Sequence, residues 1–403
     1  MVKVGIMGMG YVGLPLAIAA QRAGYQVVGF DTDPKRVEQI QNSHNHLLDY
    51  VNLESITESR KLGLTATVNS QDLKEMDIVV ICVPTPLSTS GETDLTYLEH
   101  AVKIIASVAK RGTLLINEST SMPGTIRSII PQIVASVNPE LELEYAVSPE
   151  RIDPGNIRWG ISNTPRLVGG LTRNSTQRAT KFYESFCVNV IQVRSPEVAE
   201  LAKLLENTFR LVNISLVNEL VPLAESLNVS MHEVVKAAST KPYGFTPFVP
   251  GVGIGGHCIP VDPVYLQETA HLSEISLAVV DSALRVNSKI LHFIIEKSRN
   301  WREVCENRVL VLGVSYKKGV SDTRESAALA LISKYEKSNW FVNWWDPIVV
   351  NQCFNISDYE SSECLIVVTQ EIEDIEIRDL VLQATRVIDC TGQFRGLANV
   401  ESF

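Results

Sequence analysis

The chain opens with a short run of β-branched residues that leads directly into closely spaced glycines. These are Gly8, Gly10 and Gly13; a helical pattern rich in alanine and leucine follows them, and a second strand pattern ends before Asp31. A strand, a glycine turn, a helix and a second strand with an acid at its tip form the dinucleotide-binding βαβ unit of parallel sheets. The opening of the chain therefore predicts an α/β fold that starts with a Rossmann-like domain.

Each glycine of this turn has its own physical role. Gly8 permits the tight turn, Gly10 lets the backbone approach a pyrophosphate, and Gly13 lets the helix pack closely on the strand. Tyr11 and Val12 lie just ahead of the helix, whose first N–H groups would point at the phosphates. A glycine-tolerant turn that binds no ligand is the alternative.

Polar residues follow the strand patterns where a cofactor would lie. Asp31 suits the hydroxyls of an adenosine ribose and favours NAD over NADP, although Lys35 and Arg36 are close in sequence. Thr85 and Thr120 follow the strand patterns at 78–83 and 113–117. Because the carboxyl ends of parallel strands face the ligand crevice, both threonines are candidate cofactor or water contacts. Either one is equally well explained as a loop cap.

Composition limits the remaining classes of function. The chain has 403 residues, 45% apolar and 20% charged, so two or three globular domains are expected. A formal charge of −10 disfavours nucleic acid as a partner. The scattered cysteines form no CxxC pair, which indicates neither a disulfide framework nor a zinc site and favours the cytoplasm. No apolar run is long enough for a membrane span, and the strand at Val2 leaves no room for an export leader.

The middle of the chain shows a long helical pattern. It runs from Pro196 to about Leu227 with apolar residues at intervals of three and four, and Pro222 predicts a kink or break. Lys203 and Asn207 are four residues apart and therefore project from one face. A helical lysine is usually solvated, but the apolar neighbours of Lys203 favour a partly buried and chemically useful amine.

A strand, glycine turn and helix recur after Asn307, in the run NRVLVLGVSYKKGVSDTRESAALALI. Gly313 and Gly319 are present but the tight glycine triplet is absent, which predicts a second doubly wound domain that has lost the pyrophosphate grip and offers Lys317 and Arg324 instead. We therefore predict an α/β fold with two doubly wound Rossmann-like domains joined by a helical central region with a long helix. The predicted domains are residues 1–195, 196–300 and 301–403.

The connector before the second domain reads PGVGIGGHCIPVDP and contains Cys258 behind a dense run of glycines. Such glycines suit a backbone that adopts positive φ and approaches a ligand closely. A free cysteine is most often a small buried hydrophobe, and a nucleophile is the alternative that the spacing leaves open. His257 would point away from Cys258 in an extended segment, so we expect it to have a positioning or structural role.

A thiol beside a bound nicotinamide gives a consistent chemistry. Loss of hydride converts an alcohol to an aldehyde, a thiolate adds to the aldehyde, and loss of a second hydride leaves a thioester that water hydrolyses to a carboxylate. Lys203 or the amide of Asn207 would stabilise the oxyanion. Asp262, Glu150 and Thr120 are the candidates for activating the water.

These motifs together resemble the UDP-glucose/GDP-mannose dehydrogenase family of nucleotide-sugar 6-dehydrogenases. The resemblance covers nearly the whole chain, through GIMGMGYVGLPLA, VPTP, ESTSMPGT, SPERIDPGN, GGHCIPVDP, GVSYKKGVSDTRES and WWDP. The stretch STKPYGFTPFVPGVGIGGHCIPVDP is similar to the bacterial branch that oxidises UDP-N-acetylhexosamines.

The resemblance implies oxidation of C6 of a UDP-sugar to a uronate, with two NAD consumed per sugar. It implies Cys258 as nucleophile, Lys203 and Asn207 at the oxyanion, and Asp262 with Thr120 at the water or proton. It also implies a UDP site in the C-terminal lobe and a homodimer through the central helix. The implied cofactor contacts are Gly8, Gly10, Tyr11, Val12, Gly13, Asp31, Thr85, Thr120 and Arg324. The implied substrate contacts are Glu150, Arg151, Lys203, Asn207, Gly255, Arg285 and Lys317.

The sequence departs from the family pattern at two places, a residue that handles the hydrolytic water and a turn near the C-terminus. Pro154 stands where the UDP-glucose branch has a second glutamate, and DCTGQFRG replaces an aspartate, arginine, asparagine turn. UDP-N-acetylglucosamine or UDP-N-acetylmannosamine is the expected substrate. The alternatives are a UDP-glucose 6-dehydrogenase, a one-step alcohol dehydrogenase, and a non-catalytic protein that binds NAD and a UDP-sugar.

Overall fold

The chain forms two compact units in the computed structural model, which describes residues 1–44, 53–153, 156, 158–256, 258–350, 356 and 364–403. The first unit comprises residues 1–206 and 264–274, and the second comprises residues 207–263 and 275–403. The division into three domains at residues 195 and 300 stays a prediction.

The helices and strands follow one another in the order expected of an α/β protein. In the first part of the chain they are β1 (Lys3–Met7), α1 (Gly13–Arg22), β2 (Gln26–Phe30), α2 (Pro34–Gln41), α3 (Leu53–Lys61), β3 (Thr65–Thr67), β4 (Ile78–Ile81), α4 (Thr96–Val108), β5 (Leu114–Asn117), α5 (Ile130–Val137), β6 (Glu144–Val147), β7 (Arg166–Gly170), α6 (Arg173–Glu184) and β8 (Val190–Gln192). Then come α7 (Pro196–Glu219), α8 (Val221–Ser226), α9 (Met231–Ala238), α10 (Asp262–Leu272), α11 (Ala278–Arg299), β9 (Arg308–Leu312), α12 (Ala327–Lys337), β10 (Phe341–Trp345), β11 (Leu365–Val368), α13 (Ile375–Gln383), β12 (Arg386–Asp389) and β13 (Val400–Ser402).

The sheet of the first unit has the strand order β3-β2-β1-β4-β5-β6-β7-β8. Its pairs are parallel except β6 with β7. Along β4 the side chains alternate between two helical layers: Val80 packs in the cluster that contains residues of α1 and α6, and Val79 in the cluster that contains residues of α4 and α5. Because both faces are covered, β4 and β5 are fully buried apolar runs. The strand order reverses between β1 and β4, so the ligand crevice of this sheet lies at their carboxyl ends.

The sheet of the second unit has the order β10-β9-β11-β12-β13 and is wholly parallel. Val311 of β9 packs with residues of α11 and α12, and Leu312 packs with residues of α13 on the opposite face. Two doubly wound sheets are therefore present, which confirms the predicted fold class. The second sheet also lacks a tight glycine-to-helix turn, because α12 begins only at Ala327, well after β9 ends.

The helices between the sheets follow the predicted break. The long helix α7 ends at Glu219, and α8 begins at Val221 with Pro222 in its first turn. Proline is accommodated there because the first N–H groups of a helix have no intrahelical acceptor. None of the described helices combines the length and the apolar character that crossing a bilayer requires.

Candidate active site

The glycine loop after β1 has the shape that a diphosphate needs. Gly8 has φ +91°, and a Cβ there would lie 2.7 Å from the carbonyl oxygen of Cys82. A Cβ on Gly13 would lie 1.8 Å from the carbonyl oxygen of Gly8, whereas a Cβ on Gly10 would meet no atom within 4 Å. Gly8 and Gly13 are thus required by the protein's own backbone. Gly10 instead borders an open cradle that a side chain would fill, and no side chain among the described residues caps α1.

Asp31 connects the end of β2 to this loop. It is buried, and its Oδ2 accepts hydrogen bonds from the N–H of Met9 (2.8 Å) and from Arg36 Nη1 (2.9 Å). Its Oδ1 accepts from the N–H of Asp33 at 2.9 Å. Arg36, noted in the sequence as a nearby cation, therefore pairs with the acid expected at the ribose. These bonds hold the carboxylate beside the glycine loop, as a ribose-binding group requires.

The loops after β4 and β5 hold the two candidate threonines. Thr85 is buried and its carbonyl oxygen accepts a hydrogen bond from the hydroxyl of Tyr265 (3.3 Å). Thr120 is half-buried, and the hydroxyl of the preceding Ser119 donates to the carbonyl of Val83 at 2.8 Å. The two loops are therefore tied together at the carboxyl edge of the sheet.

Glu150 follows β6 and is almost fully hydrogen-bonded. Its Oε1 accepts from the N–H groups of Arg151 (2.6 Å) and Ile152 (2.7 Å), and its Oε2 accepts from Arg166 (2.5 Å). Burial opposes ionisation, but Arg166, Lys203 and the two N–H groups outweigh it and lower the pKa of Glu150. A carboxylate held in this way is a poor proton acceptor, so Glu150 is better suited to fixing its own turn than to activating water.

Lys203 is buried, as the apolar residues around it predicted. Its Nζ donates to the main-chain carbonyl of Glu150. On the same stretch of α7, Glu206 pairs with Arg151, with 2.6 Å between Oε1 and Nη2. Arg151 also donates to the carbonyl of Pro165 at 2.8 Å. Both side chains of the Glu150–Arg151 pair thus join a network of hydrogen bonds inside the first unit.

In the second unit, Asp262 links the cysteine segment to α7. Asp262 is buried, its Oδ2 accepts from the amide of Asn207 at 2.5 Å, and its N–H donates to the carbonyl of Cys258 at 2.9 Å. Cys258 itself is exposed, whereas the other described cysteines are half-buried or buried. An exposed cysteine whose main-chain carbonyl is hydrogen-bonded to Asp262 matches the nucleophile alternative, because a core cysteine would be buried.

The glycines before Cys258 do adopt the conformations that the sequence indicated. Gly253 has φ +127° and Gly256 has φ +91°. A Cβ on Gly255 would lie 2.8 Å from the carbonyl oxygen of Glu325, and one on Gly256 would lie 2.6 Å from the ring of Tyr316. Two of these glycines are therefore required by the close approach of another segment of the protein.

The remaining predicted residues lie in the second unit, Arg285 within α11 and Arg324 and Lys317 in the loop before α12. Arg324 is exposed and paired with Asp322 (Nη2 to Oδ2, 2.6 Å), and Arg285 is exposed and donates to Ser282 at 2.9 Å. Lys317 is half-buried, and its carbonyl accepts from the hydroxyl of Ser315 at 3.1 Å. Their contacts with ligands stay predictions. His257 and Pro154 lie outside the described residues.

The turn DCTGQFRG has a structural explanation. Asp389 is fully buried, its Oδ1 accepts from the N–H groups of Thr391 and Gly392, and its Oδ2 accepts from the N–H of Phe394. The aspartate therefore closes its own turn. A comparable arrangement follows β10, where Asp346 accepts from four backbone N–H groups, which lower its pKa although burial acts in the opposite direction.

Models of one protein family match the chain in three consecutive parts. The NAD binding domain of the UDP-glucose/GDP-mannose dehydrogenase family matches residues 2–187, the central domain matches 197–289 and the UDP binding domain matches 310–394. The chain belongs to the UDP-glucose/GDP-mannose dehydrogenase family. It is therefore an NAD-dependent UDP-sugar dehydrogenase, as its resemblance implied.

Several relatives of the chain have named activities. A UDP-N-acetyl-D-mannosamine dehydrogenase of Pyrococcus horikoshii is 34% identical over 357 residues, 86% of this chain and 84% of its own. A UDP-N-acetyl-D-glucosamine 6-dehydrogenase of Salmonella typhi is 34% identical over 361 residues, 86% of this chain and 83% of its own. The solved structure of a UDP-D-ManNAc dehydrogenase from Pyrococcus horikoshii matches with a TM-score of 0.90 and 30% identity, over 100% of this chain and 99% of that one.

Several buried charged residues of the first unit were not predicted from the sequence. Arg166, the first residue of β7, bridges Glu118 and Glu150. Glu200 accepts from the N–H of Gly124 at 2.7 Å, and burial raises its pKa to about 7. A charged residue that opens an apolar strand was the available signal for Arg166. For the glutamates there was none, because their partners are distant in sequence.

Proposed function

We propose that the chain oxidises the C6 hydroxymethyl group of a UDP-N-acetylhexosamine to a carboxylate, with Cys258 as the nucleophile. The relatives described as UDP-N-acetyl-D-mannosamine and UDP-N-acetyl-D-glucosamine dehydrogenases support this choice of sugar. The observation that carries the proposal is the exposure of Cys258 next to the Asn207–Asp262 hydrogen bond.

The glycine loop fits NAD, because the cradle at Gly10 is open and Asp31 is held at its edge. NAD, when bound, supplies the hydride acceptor for both oxidations. The residues proposed to hold it, as the family resemblance implies, are Gly8, Gly10, Tyr11, Val12, Gly13, Asp31, Thr85, Thr120 and Arg324. The residues proposed to bind the UDP-sugar are Glu150, Arg151, Lys203, Asn207, Gly255, Arg285 and Lys317.

The covalent steps occur at the sulfur of Cys258. After the alcohol has become an aldehyde, Sγ forms a bond to the carbonyl carbon and the carbonyl oxygen becomes an oxyanion. Lys203 Nζ donates to this oxyanion, and Asn207 offers the N–H that its bond to Asp262 leaves over, since an amide nitrogen has two. The second oxidation yields a thioester. Water then breaks the C–S bond and returns the thiol, so that one water is consumed and three protons are released per sugar.

In this scheme Asp262 and Thr120 activate the water that hydrolyses the thioester. Glu150 has its two carboxylate oxygens engaged by Arg166 and by backbone N–H groups. Asp262 is buried next to the cysteine segment and orients the amide of Asn207. A carboxylate in that position can accept the proton of an attacking water, with the hydroxyl of Thr120 as a second contact.

A spectrophotometric panel tests the proposal. The wild-type chain is expected to form two NADH per molecule of UDP-ManNAc or UDP-GlcNAc. It is expected to form NADH more slowly with UDP-glucose, UDP-galactose or GDP-mannose. Cys258→Ser is expected to form no uronate while NAD binding persists, and Cys305→Ala, which removes a buried thiol, serves as the matched control. Full turnover by Cys258→Ser would refute the covalent route. One NADH per sugar would indicate a one-step dehydrogenase, and NAD binding without any absorbance change would indicate a non-catalytic protein.

We also propose that the chain forms a homodimer through α7. Leu201, Leu205, Phe209 and Leu216 are exposed by 45%, 62%, 48% and 53% and recur at spacings of four and seven, so they share one side of the helix. Apolar stripes of this kind are typical of interfaces between proteins. The scattered cysteines of the sequence, which form no CxxC pair, support a cytoplasmic location.

A further inference from the structure

The first unit contains a buried cluster of charged side chains, which is connected to Lys203 through Glu150. We call it the Arg166 cluster; it contains Arg166, Glu118, Glu150 and Tyr183. Arg166 Nη1 lies 2.9 Å from Glu118 Oε1, and its Nη2 lies 2.5 Å from Glu150 Oε2. Its guanidinium carbon is 4.8 Å from the centre of the Tyr183 ring, and the Tyr183 hydroxyl donates to Glu118 Oε1 at 2.5 Å.

Stability alone does not explain this cluster. Burying ionised groups is unfavourable unless each one is paired, and apolar side chains of similar volume usually stabilise a core equally well. The cluster instead has a geometric effect. Arg166 is 3% exposed and holds one oxygen of Glu150, while the other oxygen holds the N–H groups of Arg151 and Ile152. The main chain at Glu150 is thereby fixed.

Lys203 is attached to this fixed main chain. Its Nζ donates to the carbonyl oxygen of Glu150, so the position of that carbonyl helps to fix where the ammonium group lies. The connection from Arg166 to Lys203 through Glu150 lies within the first unit. A shift of the Glu150 turn would therefore move the amine even if the helix α7 stayed in place.

We infer that Arg166 is a positioning residue for Lys203, acting through the Glu150 turn, and that Glu118 and Tyr183 hold Arg166 in place. The inference rests on the proposed function, in which Lys203 stabilises the oxyanion. Oxyanion donors act only when they are held close to their working position, and a displacement of about 1 Å can lower a rate by about 10²-fold.

The decisive experiment is a double-mutant cycle on Arg166 and Lys203. Arg166→Met is expected to lower kcat with the UDP-sugar about 10²-fold and to leave the affinity for NAD unchanged. Arg166→Lys is expected to recover part of the loss, because it keeps a cation between the two carboxylates. In a Lys203→Ala background, Arg166→Met should lower the rate less than about 2-fold further. Arg178→Met, which removes an arginine that donates to the carbonyl of Gly112, is the matched control.

A second measurement does not depend on turnover. The rate at which an acylating reagent labels Lys203, read by mass spectrometry, is expected to rise at least about 10-fold in Arg166→Met, since the amine leaves its carbonyl. If the Met variant does not fold, Arg166→Lys and Glu118→Gln are expected to show the same increase in milder form.

The possible failures are distinguishable. Losses that multiply in the double variant, or a labelling rate of Lys203 that no Arg166 or Glu118 variant changes, would overturn the inference. If none of the UDP-sugars supported NAD reduction by the wild-type chain, the proposed function would be refuted. The labelling result would still decide whether Arg166 positions Lys203.

Discussion

Replacing Glu118 with glutamine is expected to change how the stability of the protein depends on pH. Glu118 is 2% exposed, and burial together with the charge of Glu150 raises its pKa to about 7, against the favourable contacts of Arg166 and Tyr183. Its Oε2 is buried and has no hydrogen-bond partner among the described residues. Glutamine keeps an oxygen for Arg166 and Tyr183 but cannot ionise, so the variant lacks the titration of this group.

The magnitude follows from the two pKa values. An unfolded glutamate loses its proton near pH 4.5, whereas folded Glu118 keeps it until about pH 7, so between these values the folded state binds more protons. Stability contributed by this group is complete below pH 4.5 and is lost as the pH rises to about 7. At about 1.4 kcal/mol for each pKa unit, the loss amounts to about 3 kcal/mol.

Thermal melting at pH 5 and pH 8 measures this effect. About 3 kcal/mol corresponds to roughly 6–12 °C in Tm for a unit of this size. The Tm of the wild type minus that of Glu118→Gln is expected to fall by roughly this amount between pH 5 and pH 8. Glu140→Gln, which replaces an exposed carboxylate of the same unit, should show no such change. If the Tm difference between wild type and Glu118→Gln agrees at both pH values within about 2 °C, the reasoning is refuted.

Two further predictions concern the glycine loop and the exposed side of α7. Gly13→Ala is expected to destabilise the protein by at least about 1–3 kcal/mol, because its Cβ would overlap the Gly8 carbonyl oxygen, whereas Gly10→Ala should leave Tm unchanged and weaken NAD binding by calorimetry. Equal effects of the two variants on Tm would contradict this difference. Leu205→Glu is expected to convert a dimer into a monomer in sedimentation experiments, and Leu62→Glu, an exposed leucine elsewhere, should not. A dimer that survives Leu205→Glu would exclude this interface.

Local sequence signals were sufficient for most of the fold. These signals are glycines in a fixed order, strands of four or five apolar residues and a proline at the end of a long helix. Each of them determines the conformation of residues close to it in sequence. Thus β1 to β2, the strand and helix after Asn307 and the break near Pro222 were all predicted. Strand ends were less accurate: β4 stops at Ile81, although the predicted strand continued to Val83.

The candidate site depends on contacts that no local signal encodes. One partner of Lys203 is a main-chain carbonyl 53 residues away, and Arg166 pairs with Glu118, which follows another strand of the sheet. The glycines before Cys258 were expected to make room for a ligand, but Gly255 and Gly256 make room for the segment at Tyr316 and Glu325. The sequence indicates that such residues have a particular role, but only the folded structure shows which segment each of them contacts.

Helix α10 makes the first unit discontinuous along the chain. Residues 264–274 belong to that unit although residues 207–263 belong to the other. Tyr265 is fully buried with its hydroxyl on the Thr85 carbonyl, and Glu268 accepts from the N–H of Thr93 at 2.8 Å. During translation, the nascent polypeptide up to residue 206 emerges from the ribosome before this helix exists. The amino-terminal unit can thus complete its folding only after residue 274 has left the exit tunnel. A gene fragment that stops at residue 206 encodes this unit without α10.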